Sequence, residues 1–309
     1  MGYLHEEKTS FQDAILAASA ETKLSPEAIE KDYYVTFILR YLARKLPYLV
    51  FKGGTSLSKC WKVIDRFSED IDITIDEAIS QGQKKKVKEI LVEATDALGM
   101  KVLNLENTRS RRDYNKYEIA YETVLSQPIA GIIPYIIVET SYTTVSFPTV
   151  IMPVHNYIGD LLEIPNPEAE KEYGLEPFEM KIQSIERTFV DKVFAICDYY
   201  LQGKVEKHSR HLYDLYQLQS LITFDDNFKM LVKEIRNARA KSAVCPSART
   251  GVDIPSLLKK IAFDNAYQKD YNEVTAALLK ASSRVEYARV NDVILKIAKS
   301  GVFDSPEDW

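Results

Sequence analysis

Two aspartates separated by one residue, Asp70-Ile71-Asp72, run into Ile73-Thr74-Ile75, and this stretch constrains the chain more than any other. Side chains on a strand alternate with period two. Asp70 and Asp72 then share one face, while Ile71, Ile73 and Ile75 fill a core on the other. Like charges two residues apart on a packed strand repel each other unless a cation lies between them. The stretch therefore predicts a metal site on a sheet. An edge strand carrying surface acids is the plainer reading, and the isoleucines of the opposite face argue against it. Upstream, Leu49-Val50-Phe51 ends an apolar run and Gly53-Gly54 makes a turn. Glycine lets the backbone approach a ligand closely. Thr55 or Ser56 can cap a helix there, and free N–H groups at a helix start attract phosphate. A phosphate cradle beside paired carboxylates is what metal-assisted phosphoryl transfer requires. Asp76 shares the aspartate face but lies about 20 Å from Asp70 along a strand, too far to join the same cluster.

The rest of the chain supplies a two-part fold. Helical spacing covers residues 10–22, 26–45 and 83–98, with Ser25-Pro26 starting the second helix. Tyr48–Lys52 reads as a first strand, and Met100–Glu106, Tyr114–Thr123 and Pro134–Ser141 read as further strands. Residues 145–178 are irregular and proline-rich, and the strand pattern is expected to stop there. Helical patterns follow over Ile185–Leu201, Arg210–Leu221, Asn227–Asn237, Ser256–Tyr267, Asn272–Ala281 and Val285–Lys299. The expected class is α+β, a sheet with flanking helices over residues 1–170 and a helical bundle over 171–309.

Composition excludes some functions. No run approaches the roughly 20 apolar residues that span a bilayer. The start, MGYLHEEKTS, lacks a signal-peptide pattern, and three scattered cysteines fit buried thiols in a reducing cytoplasm. Net charge is −5, which does not advertise a nucleic-acid binder, but it is unevenly spread. Residues 1–179 hold 20 Lys and Arg against 28 Asp and Glu, and residues 180–300 hold 20 against 14. That fits a metal-binding half beside one that holds a polyanion, or an ordinary solvated surface. Arg109-Ser110-Arg111-Arg112 is a basic loop, either a phosphate contact or an exposed turn.

Other candidates carry two readings each. Glu139 falls late in an apolar strand, where a carboxylate needs a partner or a metal. Lys192, among Phe189, Val193 and Ile196, is by itself an ordinary snorkelling lysine. Asp214 sits four residues after Arg210, the spacing of a local ion pair. His211 is a possible base.

Lys52-Gly53-Gly54-Thr55-Ser56-Leu57-Ser58-Lys59, with Arg66-Phe67-Ser68-Glu69-Asp70-Ile71-Asp72, resembles the AbiEii/AbiGii family of nucleotidyltransferase toxins. These MenT-like proteins belong to the DNA polymerase β-like nucleotidyltransferase superfamily. Glu30-Lys31-Asp32-Tyr33 resembles the family's N-terminal helix. Arg187-Thr188-Phe189-Val190-Asp191-Lys192 and Arg210-His211-Leu212-Tyr213-Asp214 resemble its third and fourth motifs. The resemblance implies a nucleotidyltransferase-type mixed sheet. It implies the toxin of a toxin–antitoxin or abortive-infection pair, neutralised by a cognate antitoxin. It also implies transfer of a nucleotide from an NTP, with Mg²⁺ or Mn²⁺, to an acceptor that in relatives is the 3′ end of tRNA. Asp70 and Asp72 would hold the metal, with Glu139 as third acid and Glu118 in reserve. Lys52, Gly53, Gly54, Thr55, Ser56, Lys59, Arg66 and Ser68 would hold the nucleotide. Lys192 would reach it, and Asp214 would hold Lys192 or act on the acceptor hydroxyl. A protein or small-molecule acceptor, or a non-catalytic nucleotide-binding module, stays open as an alternative.

Overall fold

In the computed structural model, which describes residues 2–66, 68, 70–125, 135–163, 165–279 and 283–304, strands β1 (Leu49–Lys52), β2 (Ile71–Ile75), β3 (Lys101–Val102), β4 (Tyr114–Ala120), β5 (Tyr135–Val145), β6 (Thr149–Val154) and β7 (Phe178–Gln183) form one sheet. Their order across it is β3-β4-β5-β2-β1-β7-β6. The sheet is mixed: β1–β2, β3–β4 and β4–β5 are antiparallel, while β1–β7 and β2–β5 are parallel. The expected strand start at Pro134 and helix end at Ala281 lie outside the described residues.

Two compact units result, each assembled from separated segments. The first comprises Met1–Cys60, Glu69–Val145 and Thr149–Ile182; the second comprises Trp61–Ser68, Ser146–Pro148 and Gln183–Trp309. The first unit holds the sheet with α1 (Lys8–Thr22), α2 (Pro26–Lys45), α3 (Gly53–Lys59), α4 (Gln81–Ala97), α5 (Tyr157–Leu162) and α6 (Pro167–Glu172). Ser25 caps α2 by accepting from the Ala28 N–H, with Pro26 in the first turn as the sequence predicts. Ile71, Ile73 and Ile75 are buried, on the same side as Leu49, Phe51, Val138, Tyr117 and Ile119. α2 packs against β5 and α4.

The second unit is helical, with α7 (Ile185–Leu201), α8 (Arg210–Leu218), α9 (Asp226–Ala240), α10 (Ile254–Phe263), short turns α11 (Gln268–Asp270) and α12 (Ala276–Leu278), and α13 (Tyr287–Lys299). The helix expected over Asn272–Ala281 is instead a π-helical stretch, Tyr271–Thr275, followed by α12. Ser184 caps α7. Among the described residues, no helix is long and apolar enough to cross a membrane.

The strand pattern does not stop at the proline-rich stretch. β6 lies within it, and β7 follows, running parallel to β1 with Val50 beside Lys181 and Phe51 beside Ile182. The first-strand expectation after α4 shrinks to Lys101–Val102, because Leu105–Asn107 closes into a 3₁₀ turn.

Candidate active site

The strand register gathers charge on one face of the sheet. Lys52 of β1 is the cross-strand partner of Asp72, Asp72 is the partner of Glu139 on β5, and Glu139 is the partner of Lys116 on β4. Neighbouring strands lie about 4.8 Å apart and partners point to the same side. The row therefore reads lysine, aspartate, glutamate, lysine. Asp70, expected on the same strand, instead stands one residue before β2, which begins at Ile71, so the register pairs Asp72 and not Asp70 across the sheet. Glu118, the reserve acid, stands opposite Ile137 and outside the row.

Gly53 is pressed against this row. Its φ is +79°, and a Cβ built on it would lie 1.9 Å from Asp72 Oδ2 and 2.8 Å from Asp72 Cγ. Only glycine lets the turn approach the carboxylate so closely. Gly54, Thr55 and Ser56 are buried behind it, and the Ser56 hydroxyl donates to the Gly53 carbonyl at 2.9 Å. Ser56 thus stiffens the turn through its side chain. Lys59 is drawn inward: its ammonium pairs with Asp32 of α2, whose other oxygen accepts from the Tyr157 N–H at 3.1 Å. Asp76 pairs with Lys181 of β7.

Hard carboxylate oxygens on adjacent strands, backed by a glycine turn, are the donor set that Mg²⁺ or Mn²⁺ takes. Register places Asp72 and Glu139 side by side, so these residues fit a divalent ion. Among the described residues, though, the three-residue set whose ligand atoms all lie within 4.8 Å of one another is His155, Asp160 and Glu163. Asp70, Asp72 and Glu139 are not drawn in so tightly, as expected of like charges that repel.

In the second unit the chemistry gathers on Asp214. Arg66 grips its carboxylate with two bonds, Nε to Oδ1 at 2.6 Å and Nη2 to Oδ2 at 2.7 Å. Lys192 Nζ reaches Oδ2 at 2.6 Å. All three side chains are buried. The local reading of Asp214 gives way here, since its carboxylate serves α7 and the 61–68 segment. Burial opposes the charged carboxyl, but Arg66 and Lys192 outweigh it and hold its pKa well below the usual range. Burial pulls the Lys192 ammonium down, and Asp214 offsets part of that. Next to this pair, burial and the charges of Lys192 and Arg210 push the His211 pKa well below its ordinary value, and among the described residues its buried Nδ1 has no hydrogen-bond partner. His211 is thus a neutral imidazole. Arg66 also bridges to Leu279, and Ser68, half-buried, follows it in the same segment.

Lys116 and Asp32 were not among the predicted site residues. The alternation of β4 carries the signal for Lys116, because it puts that residue on the face opposite Tyr117 and Ile119. No local signal ties Asp32 to Lys59. A hollow of about 270 Å³ in the second unit, lined by Phe194, Met230, Ile254 and Phe303 together with charged residues such as Lys229 and Asp304, holds none of the predicted site residues.

A mixed sheet with a glycine turn against paired carboxylates suits metal-assisted phosphoryl transfer, and the class of protein is a nucleotidyltransferase. Residues 38–292 match the family model described as nucleotidyl transferase AbiEii toxin of a type IV toxin–antitoxin system, and the chain belongs to that family. Membership makes it a toxin nucleotidyltransferase, with an NTP as substrate and an antitoxin as partner. No curated protein matches the chain. Among solved structures it is similar to JHP933 from Helicobacter pylori, at 18% identity over 89% of this chain and 92% of that one, TM-score 0.46. It is also similar to a putative nucleotidyltransferase from H. pylori, at 19% identity over 89% and 95%, TM-score 0.45. A third is MenT4, a nucleotidyltransferase toxin from Mycobacterium tuberculosis, at 16% identity over 95% and 91%, TM-score 0.48.

Proposed function

We propose that this protein moves a nucleoside monophosphate from an NTP onto the 3′-hydroxyl of an RNA, most simply tRNA, in the cytoplasm, and so blocks translation. The observation that carries the reading is the in-register pair of Asp72 and Glu139 beside the Gly53 turn. Asp70, Asp72 and Glu139 would hold Mg²⁺ or Mn²⁺. Such an ion, when bound, offsets charge on the triphosphate and lowers the pKa of a bound hydroxyl. The chain's own residues do the rest. Gly53, Gly54 and Thr55 present backbone to the phosphates, with Ser56 holding the turn in shape. Lys52 stands beside Asp72 and balances charge as phosphate arrives. In the second unit Asp214 fixes the Lys192 ammonium, a point charge of the kind that suits a triphosphate. Arg66, gripped by Asp214, orders the segment that leads to Ser68 and Asp70. Lys59, spent on Asp32, supports the glycine helix from behind.

The test is transfer of label from each of the four α-labelled NTPs to total RNA, with Mg²⁺ or Mn²⁺ and with chelator. Label should enter RNA for at least one NTP and vanish with chelator. Asp72→Asn should lower transfer by 100-fold or more while the fold persists, as expected when a group that organises the reacting phosphate is lost (about 10²–10³). Label entering protein alone would overturn the RNA acceptor, and an Asp72→Asn protein with full transfer would overturn the site.

A further inference from the structure

The basic loop of the sequence has a definite place in the first unit. Arg109, Arg111 and Arg112 are exposed on the turn that enters β4, and Tyr114, 50% exposed, and Lys116 follow on the same face of that strand. Lys116 is the cross-strand partner of Glu139, so this cationic strip ends at the acidic row.

The turn is built, not loose. Asn115 points into the protein and clamps Arg109 twice, accepting from its N–H at 3.0 Å and donating to its carbonyl at 3.1 Å. The Arg112 N–H closes the turn on the Arg109 carbonyl at 3.0 Å. Lys88 of α4 donates to the carbonyls of Thr108 at 2.7 Å and Leu105 at 3.2 Å. The acid next in sequence, Asp113, is taken by Lys84. Among the described residues, no carboxylate pairs with Arg109, Arg111 or Arg112. Three guanidinium groups thus stand together on a pinned turn in a chain of net charge −5. An aromatic ring between cations is the pattern that holds single strands, with rings stacking on bases and cations tracking phosphates.

We propose that β4 and the turn before it bind a single-stranded polynucleotide and lead its 3′ end to the Asp72–Glu139 row. Arg109, Arg111 and Arg112 contact phosphates, Tyr114 stacks on a base, and Lys116 meets the last phosphate before the carboxylates. This rests on the reading of a nucleic-acid acceptor, but it makes a separate claim about where that acceptor lies.

The test is fluorescence anisotropy of the full chain with a labelled 12-nucleotide RNA and the same sequence as DNA, without NTP or added metal, across a salt series. Tyr114→Ala should weaken binding about tenfold, the loss expected for one base stack. Arg109→Gln/Arg111→Gln/Arg112→Gln should reduce the slope of log affinity against log salt by about 2, since single strands give about 0.7 per phosphate contact. Exposed arginines leave the melting temperature unchanged, so a misfolded variant is recognised at once. Equal effects on RNA and DNA support a backbone-and-stacking strip, and a loss confined to RNA supports the same strip reading the 2′-hydroxyl. Wild-type protein that binds neither strand, or a triple variant with the wild-type salt slope, would overturn the proposal. RNA bound as described without any nucleotide transfer would count against the transfer reading and leave this one standing.

Discussion

Gly53 is the residue at which backbone shape and site chemistry meet. Its left-handed φ and its contact with Asp72 both exclude a side chain. Gly53→Ala should cost about 1–3 kcal/mol from backbone strain and push the Asp72 carboxylate out of the row, so transfer falls far more than stability does. Gly99→Ala is the control: its φ is +65° with nothing within 4 Å of the added methyl, so it should show the strain alone. Equal activity losses in the two variants, measured by labelled transfer beside thermal unfolding, would show that Asp72 is not being displaced. Asp214 is the second such residue. Asp214→Ala leaves the Arg66 and Lys192 charges buried without their counter-charge, and breaking a buried pair this way costs about 3–5 kcal/mol. The pH sign follows from its depressed pKa. The folded state holds Asp214 ionised at pH values where the unfolded chain, at about 3.9, takes up a proton. Its contribution is therefore complete above about pH 4 and fades as pH falls toward the folded value. Urea midpoints of wild type and Asp214→Asn should be far apart at pH 7 and approach each other as the solution is acidified below 4.

Elements α5 and α6 show a different coupling, through His155. Its Nδ1 meets Asp160 of α5 at 2.8 Å and its Nε2 meets Glu170 of α6 at 3.1 Å. Gly159 makes room, since a Cβ there would stand 2.3 Å from Nε2. Both ring nitrogens facing carboxylates call for the protonated ring. Burial pulls its pKa down, but the hydrogen bond and charge of Asp160, with Glu170 and Glu163, raise it above the ordinary value. The stabilisation is thus complete below about pH 6.5 and is lost as pH rises through the folded pKa. Proteolysis within residues 155–175 should quicken as pH rises above that value in wild type, and show little such pH dependence in His155→Gln. Elements also differ in how far their sequence reveals them. β2 was legible because alternation of aspartate with isoleucine is a local signal, and α2 and α7 because serine caps and helical spacing are local too. β7 alternates as well, with Phe178, Met180 and Ile182 against Glu179, Lys181 and Gln183, but it is short, follows a proline-rich stretch and pairs with β1 some 130 residues earlier, so its place in the sheet is not a local signal. The same limit applies to the site. The glycine turn and Asp70-Ile71-Asp72 stand close in sequence, whereas the Arg66–Asp214 grip joins residues 148 apart, and no spacing rule reaches that far.

At the scale of the whole molecule, the two units do not follow the order of the chain. The helical unit takes in Trp61–Ser68 and Ser146–Pro148 from between segments of the sheet unit. These short insertions carry specific bonds. Arg66 grips Asp214, the Trp61 indole donates to the Gln183 carbonyl at 3.2 Å, and Ser146 donates to the Gln183 side chain at 2.8 Å. The Arg187 guanidinium donates to the Phe147 carbonyl at 3.3 Å. A cut after residue 182 therefore does not separate two self-sufficient domains, although the helical patterns from residue 185 onward invite it. A fragment of residues 183–309 keeps Lys192 and Asp214 but loses Arg66, so a buried carboxylate gives up its bidentate partner, a loss of about 3–5 kcal/mol. That is comparable to much of the stability of an ordinary domain, about 5–15 kcal/mol. The fragment should show helical circular dichroism with a broad, early melt, while the full chain unfolds in sharp transitions. Adding a synthetic peptide of residues 61–68 should not restore it unless residues 146–148 are supplied as well, because the contacts at Gln183 and Arg187 stay open. A fragment 183–309 that melts as sharply and as high as the helical unit of the full chain would show that the insertions are passengers, and that the Arg66–Asp214 grip serves the site alone.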